Sequence, residues 1–142
     1  MANSLKESLI GAESLDKARE AVFVLIEKKA LNVKLYCVKE TSPITDYYVN
    51  VTGRSQTQVA SLADEVVYRL SLLGLEGARV EGKKGNSWIL VDYNDVIINV
   101  FDGEARDFYN LDRLFPQESQ VDISDIVTAV DEKMNINNAE DK

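Results

Sequence analysis

The stretch YYVNVTGRSQTQVASLADEVVYRLSLLG, residues 47–74, decides the fold. In its first half Tyr47, Val49 and Val51 alternate with Tyr48, Asn50 and Thr52, the two-residue period of a strand with one buried face. Gly53-Arg54-Ser55 follows, and Ser55 with Gln58 three residues on is a capping box: the hydroxyl accepts from the Gln58 amide while the Gln58 side chain returns to the Ser55 amide. Val59, Leu62, Ala63, Val66, Leu70 and Leu73 then recur on one helical face, and Gly74 supplies a left-handed stop.

Upstream, Leu15, Ala18, Ala21, Val22, Leu25 and Ile26 recur at three- and four-residue steps, with Lys17, Arg19, Glu20, Glu27 and Lys28 between them, the pattern of an amphipathic helix. Asn32 to Val38 alternates as a strand, ending at the turn-like Thr41-Ser42-Pro43. Downstream come a short strand at 78–81, a turn at 82–86, a strong strand at 87–93, a tight turn at Asn94-Asp95 and a strand at 96–101, which make an antiparallel meander. Asp102-Gly103 opens a last helix carrying Phe108, Leu111, Leu114 and Phe115, closed by Pro116. The order α-β-β-α-β-β-β-α predicts an α/β domain over 1–117, with a five-stranded mixed β-sheet packed by α-helices. Residues 118–142 read as an acidic C-terminal extension: one short helix within Val121–Val130, then a polar, frayed end.

The 142 residues, 45% of them apolar, suffice for one domain with its own core. Histidine is absent, which excludes Ser-His-Asp and Cys-His catalysis and most zinc sites. The single cysteine, Cys37, forms no disulfide within the chain and reads as a small core residue. The net charge of −8 comes mostly from 118–142, where two basic and seven acidic residues give −5. An acidic chain without a lysine- or arginine-rich run is a poor phosphate-grasping protein, so near nucleic acid it is expected to touch a protein. No segment reaches the ~18 apolar residues of a membrane span, and the opening residues 1–20 show no basic n-region followed by an apolar h-region. The expected location is cytoplasmic.

Alternation in 88–92 puts Ile89 and Val91 on one face and Trp88, Leu90 and Asp92 on the other. A face holding a carboxylate is expected to be the wet one, leaving Trp88 and Leu90 as an apolar patch of the kind enriched at binding hot spots. Arg106, Tyr109, Asp92, Asp95 and Glu104 are its expected polar rim. The other reading, in which helices cover both faces and Trp88 is core, is not separated from this one by alternation.

The same residues carry a resemblance. Ile44-Thr45-Asp46-Tyr47-Tyr48-Val49, Thr52-Gly53-Arg54-Ser55, Gln58-Val59 through Val66, Val80-Glu81-Gly82, Trp88 through Val96, Val100-Phe101 and Arg106 through Leu114 resemble, in order and spacing over residues 13–116, the ribosomal silencing factor family, also called the Iojap family. The resemblance implies a protein that docks on the large ribosomal subunit through that subunit's protein fourteen, blocks joining of the small subunit, and lowers translation when nutrients are scarce. It implies a nucleotidyltransferase-like fold without enzymatic activity, cofactor or metal, and homodimers in the free state. Carried over residue by residue, its contact surface falls on Trp88, Leu90, Asp92, Tyr93 and Asp95, with Asp46, Tyr47, Arg106 and Tyr109. Three positions depart from the family pattern. Asn94 stands for a usual glycine in the turn, Asn99 for a usual histidine, and Phe115 for a usual tryptophan. Asparagine tolerates positive φ and its amide keeps hydrogen bonding at position 99, while phenylalanine keeps an aromatic role.

Two rivals remain. Phosphoryl or nucleotidyl transfer would use Gly53-Arg54-Ser55 for phosphate and Asp92 with Asp95 for Mg²⁺, but a capping serine after glycine is common without any ligand, and the two carboxylates lie across a turn. A plain dimerisation module would turn the Trp88 patch on a second copy. Lys83-Lys84 reads as a solvated hairpin tip, or as a peripheral ribosomal RNA contact.

Overall fold

The computed structural model describes residues 3–82 and 84–140; Lys83, half of the hairpin-tip pair, lies outside them. Helix α1 (Ser14–Glu27) leads to strands β1 (Leu31–Cys37) and β2 (Tyr47–Gly53), then to helix α2 (Gln56–Leu72). Strands β3 (Arg79–Gly82), β4 (Trp88–Asp92) and β5 (Val96–Asp102) follow, then helix α3 (Gly103–Tyr109), strand β6 (Gln120–Val121) and helix α4 (Ser124–Glu140).

The expected junction at 53–58 forms with one change. The Gln58 amide donates to Ser55 Oγ at 3.1 Å, but the Gln58 side chain accepts from the amide of Arg54, one residue earlier than the box predicts. Gly53 is required by close approach: a Cβ there would lie 2.9 Å from Val59 Cγ2. Gly74 ends α2 with φ +92°.

The sheet has six strands rather than five, in the order β3-β4-β5-β2-β1-β6, with β2 and β5 parallel and every other pair antiparallel. The extra strand β6 pairs Val121 with Leu35 and Gln120 with Tyr36. Two residues are too few to leave a two-residue period in a sequence. β6 and α4 also change the reading of the chain after 117. Ile126 and Val130 of α4 are buried in the main core, and Arg19 of α1 pairs with Asp125 at 2.6 Å. The segment read as a polar, frayed end continues α4 to Glu140, and residues 141–142 lie outside the described residues.

One face of the sheet carries Leu35, Val49, Val51, Ile89, Val91, Ile98 and Val100 against the apolar sides of α1, α2 and α4. α1 also buries Glu20 completely, although the sequence places it on the polar side. Its carboxylate is enclosed by the N-terminal segment, accepting from the Lys6 amide. Among the described residues no helix is long and apolar enough to cross a membrane.

Candidate partner interface

The opposite sheet face is assembled by cross-strand register. Trp88 pairs with Phe101, Leu90 with Asn99 and Asp92 with Ile97 across β4 and β5; Asn50 meets Asn99 and Tyr48 meets Ile97 across β2 and β5. Trp88, Leu90 and Asp92 are partly exposed while Ile89 and Val91 are buried, so β4 follows the wet-face reading, although Phe101, Asn99 and Ile97 beside them on β5 are buried. α3 covers only part of this face. Asp102 caps it by accepting from the Ala105 amide at 2.8 Å, and Tyr109 is thereby set against Trp88 with ring centroids 4.6 Å apart and planes tilted by 51°. Phe108 meets Tyr109 edge-on and is 81% exposed.

The single helix expected to reach Phe115 breaks at Asn110, which takes φ +47°. Asparagine visits this left-handed region at less cost than most residues. The break folds the 3-10 turn Leu111–Leu114 back toward the sheet and brings Asp112 to Arg106. Arg106 is therefore not on the rim. It is 6% exposed, donates from Nε to Asp112 Oδ2 at 2.7 Å, and donates from one terminal nitrogen to the Asn32 carbonyl and Thr52 Oγ1, each at 3.0 Å. Asp112 also accepts from Tyr36 and from Asn50. Burial works against its ionisation, but the hydrogen bonds from Arg106, Tyr36 and Asn50 outweigh burial and hold the carboxyl below its ordinary range. Phe115 stacks on Tyr36 at 4.6 Å, the aromatic packing role expected of it.

The remaining site residues separate from this face. Asp92 stays on it, paired with Arg79 at 2.7 Å and accepting from the Asn94 amide, while Asn94 takes φ +82° and preserves the turn. Tyr93 and Tyr47 point the other way and are buried in the main core, at 9% and 6% exposure. Burial pushes the Tyr93 hydroxyl up to about 12. Asp95 lies at the end of the sheet toward α1, bonded to Lys17 Nζ at 2.9 Å, and its carbonyl accepts from the amides of Asp46 and Tyr47. The nine residues thus divide into an open-face group (Trp88, Leu90, Asp92, Tyr109, with Arg106 beneath) and a group at the β4–β5 turn (Asp46, Tyr47, Tyr93, Asp95).

Sequence reasoning missed Asn50 and Asp112 beneath the face and Phe108 upon it. An asparagine, a residue type disfavoured in strands, at Asn50 between Val49 and Val51 was the available signal. As for metal chemistry, Asp92 and Asp95 bond to different cations, and among the described residues no three His, Cys, Asp or Glu side chains gather as a ligand set.

A family model described as "ribosomal silencing factor during starvation" matches residues 11–142. The chain is similar to the ribosomal silencing factor RsfS of Halalkalibacterium halodurans, with 32% identity over 108 residues, 76% of this chain and 92% of that protein. The RsfS of Zymomonas mobilis is 34% identical over 105 residues, 72% of this chain and 79% of its own length. A crystal structure of a protein from Chromobacterium violaceum superposes with a TM-score of 0.69 at 26% identity, covering 72% of this chain and 86% of that one.

Proposed function

The chain belongs to the ribosomal silencing factor family, and from that premise we propose that it represses translation by docking its open sheet face on the large ribosomal subunit. The contact is made through that subunit's protein fourteen, and the bound chain stands where the small subunit must join. Nutrient limitation is the setting and the cytoplasm the place. The family's named role is regulatory, and the chain acts here as a steric block rather than as an enzyme.

The observation that carries this reading is the open face itself: Trp88, Leu90, Phe108 and Tyr109 form an aromatic and aliphatic surface above a buried polar floor, with Asp92 at its margin. Aromatic anchors ringed by polar groups are what tight protein contacts use. A net charge of −8 favours a basic ribosomal protein over RNA as the main contact. Asp46 and Asp95 extend the contact at the β4–β5 turn, with Tyr47 and Tyr93 supporting that turn from within. In the free state the same face pairs with a second copy, and the homodimer opens before docking.

The test is co-sedimentation with large subunits, with small subunits as control and Trp88→Ala beside the wild type. Retention by large subunits alone, lost in the variant while it still unfolds cooperatively, is the expected result. No retention of the wild type at physiological salt refutes the reading, and nucleotide and Mg²⁺ binding would then be measured for the rival one.

A further inference from the structure

We propose that Asn99 is a positioning residue for Trp88, acting through a directional relay of hydrogen bonds that begins at Asp112 and ends on the indole N–H. This rests on the reading of the Trp88 face as the docking surface and names what holds its anchor in place. Asn50 and Asn99 face one another on the parallel strands β2 and β5, at 0% and 2% exposure. Each amide has one accepting and one donating end, so each has two orientations. Asp112, ionised beside Arg106, only accepts. Asn50 must therefore turn its amino group to Asp112, at 3.2 Å, which leaves its oxygen to accept from the Asn99 amino group at 3.1 Å. Asn99 is thereby left with its oxygen outward, and Trp88 Nε1, which only donates, meets it at 3.0 Å. An acceptor-only group at one end and a donor-only group at the other permit a single direction throughout.

The consequence is an indole fixed before a partner arrives. Its ring lies against Phe101 and Tyr109, and its nitrogen edge is tied to a buried amide. Ordering of the side chain is completed on folding and does not oppose association. Asn50 and, beyond it, Asp112 reach the indole through Asn99, so their influence on the orientation of Trp88 passes through that amide.

Trp88 is the chain's sole tryptophan, so its fluorescence reports the ring directly. The variants are Asn99→Leu, which removes both bonds, and Asn99→His, whose imidazole accepts at one nitrogen and donates at the other. Asn99→Thr accompanies them; it suits a strand, and its shorter side chain withdraws from the indole. Each is measured for urea unfolding, tryptophan anisotropy in the free protein, and affinity for large subunits. Asn99→Leu and Asn99→Thr are expected to lower the anisotropy and weaken affinity about five- to tenfold, the size of one lost hydrogen bond. Asn99→His is expected to restore both. Wild-type anisotropy in the folded Leu or Thr variant overturns the relay, as does failure of histidine to recover what leucine loses. Anisotropy is read without ribosomes, so the relay is decided even if wild-type docking fails, which refutes the functional reading separately.

Discussion

Replacing Arg106 by methionine keeps most of the side chain's volume and removes its charge from beneath the open face. The change deletes the 2.7 Å bond from Nε to Asp112 Oδ2, the 3.3 Å bond to Oδ1, and the two 3.0 Å bonds to Asn32 O and Thr52 Oγ1. Removing one partner of a buried ion pair costs about 3–5 kcal/mol. The Arg106 side chain is 7% exposed but that of Asp112 is 25% exposed, so water recovers part of the loss and about 2–4 kcal/mol is expected. With a urea slope near 2 kcal/mol/M, the unfolding midpoint falls by about 1–2 M at pH 7. Asp112 titrates below its ordinary value in the wild type, so its stabilising contribution is present above the unfolded pKa and is lost as pH falls through the folded one. The gap between wild type and variant therefore narrows below about pH 4. Urea titrations read by Trp88 fluorescence, at pH 7 and pH 3, provide the assay. The same substitution in an Asp112→Leu background should be milder by more than about 1 kcal/mol, because the orphaned carboxylate is gone. A loss under about 1 kcal/mol, or an equal loss in both backgrounds, would refute the reading of Arg106 as the buried partner that compensates Asp112.

Two further outcomes are expected. Burial raises the Glu20 carboxyl above its ordinary value despite hydrogen bonds from the Leu5 and Lys6 amides, so the wild type loses stability as pH rises from the unfolded pKa through the folded one. Glu20→Gln keeps an acceptor for the Lys6 amide without the charge, and its stability relative to wild type should improve from pH 4 to pH 7; a urea series showing the opposite trend would contradict this. Ile126 of α4 is fully buried, so Ile126→Ala should lower stability by about 2–4 kcal/mol, whereas the exposed Val127→Ala should change it by less than about 0.5 kcal/mol. Equal effects of the two would mean that α4 is not packed as described.

Local chemistry carries its own signal, and the elements built on it were legible in the sequence. The strand, cap and helix of 47–74 follow from a two-residue period, a serine with glutamine three residues on, and a 3.6-residue period, all decided within a few neighbours. The meander of β3, β4 and β5 follows from short connections, and the alternation of β4 divides Ile89 and Val91 from Trp88 and Leu90 without any tertiary information. The resemblance of those blocks to a known family was legible for the same reason, being a matter of residue types at fixed spacing.

What lies between distant segments needed the fold. β6 is too short to carry a period and exists only because Leu35 and Tyr36 offer it a free edge. α4 has a mostly polar sequence, yet its Ile126 and Val130 enter the main core while its Asp125 and Lys133 pair with Arg19 and Glu27 of α1. Arg106 reads as a surface charge until Asn110 turns the chain at φ +47° and delivers Asp112 to it. Tyr93 sits one residue from Asp92 and points to the opposite face, because side-chain direction reverses at every step along an extended chain. The relay from Asp112 to Trp88 joins residues drawn from β2, β4, β5 and the turn after α3. Its direction depends on which partner can only donate and which can only accept, and that was settled when the tertiary structure brought the four side chains together.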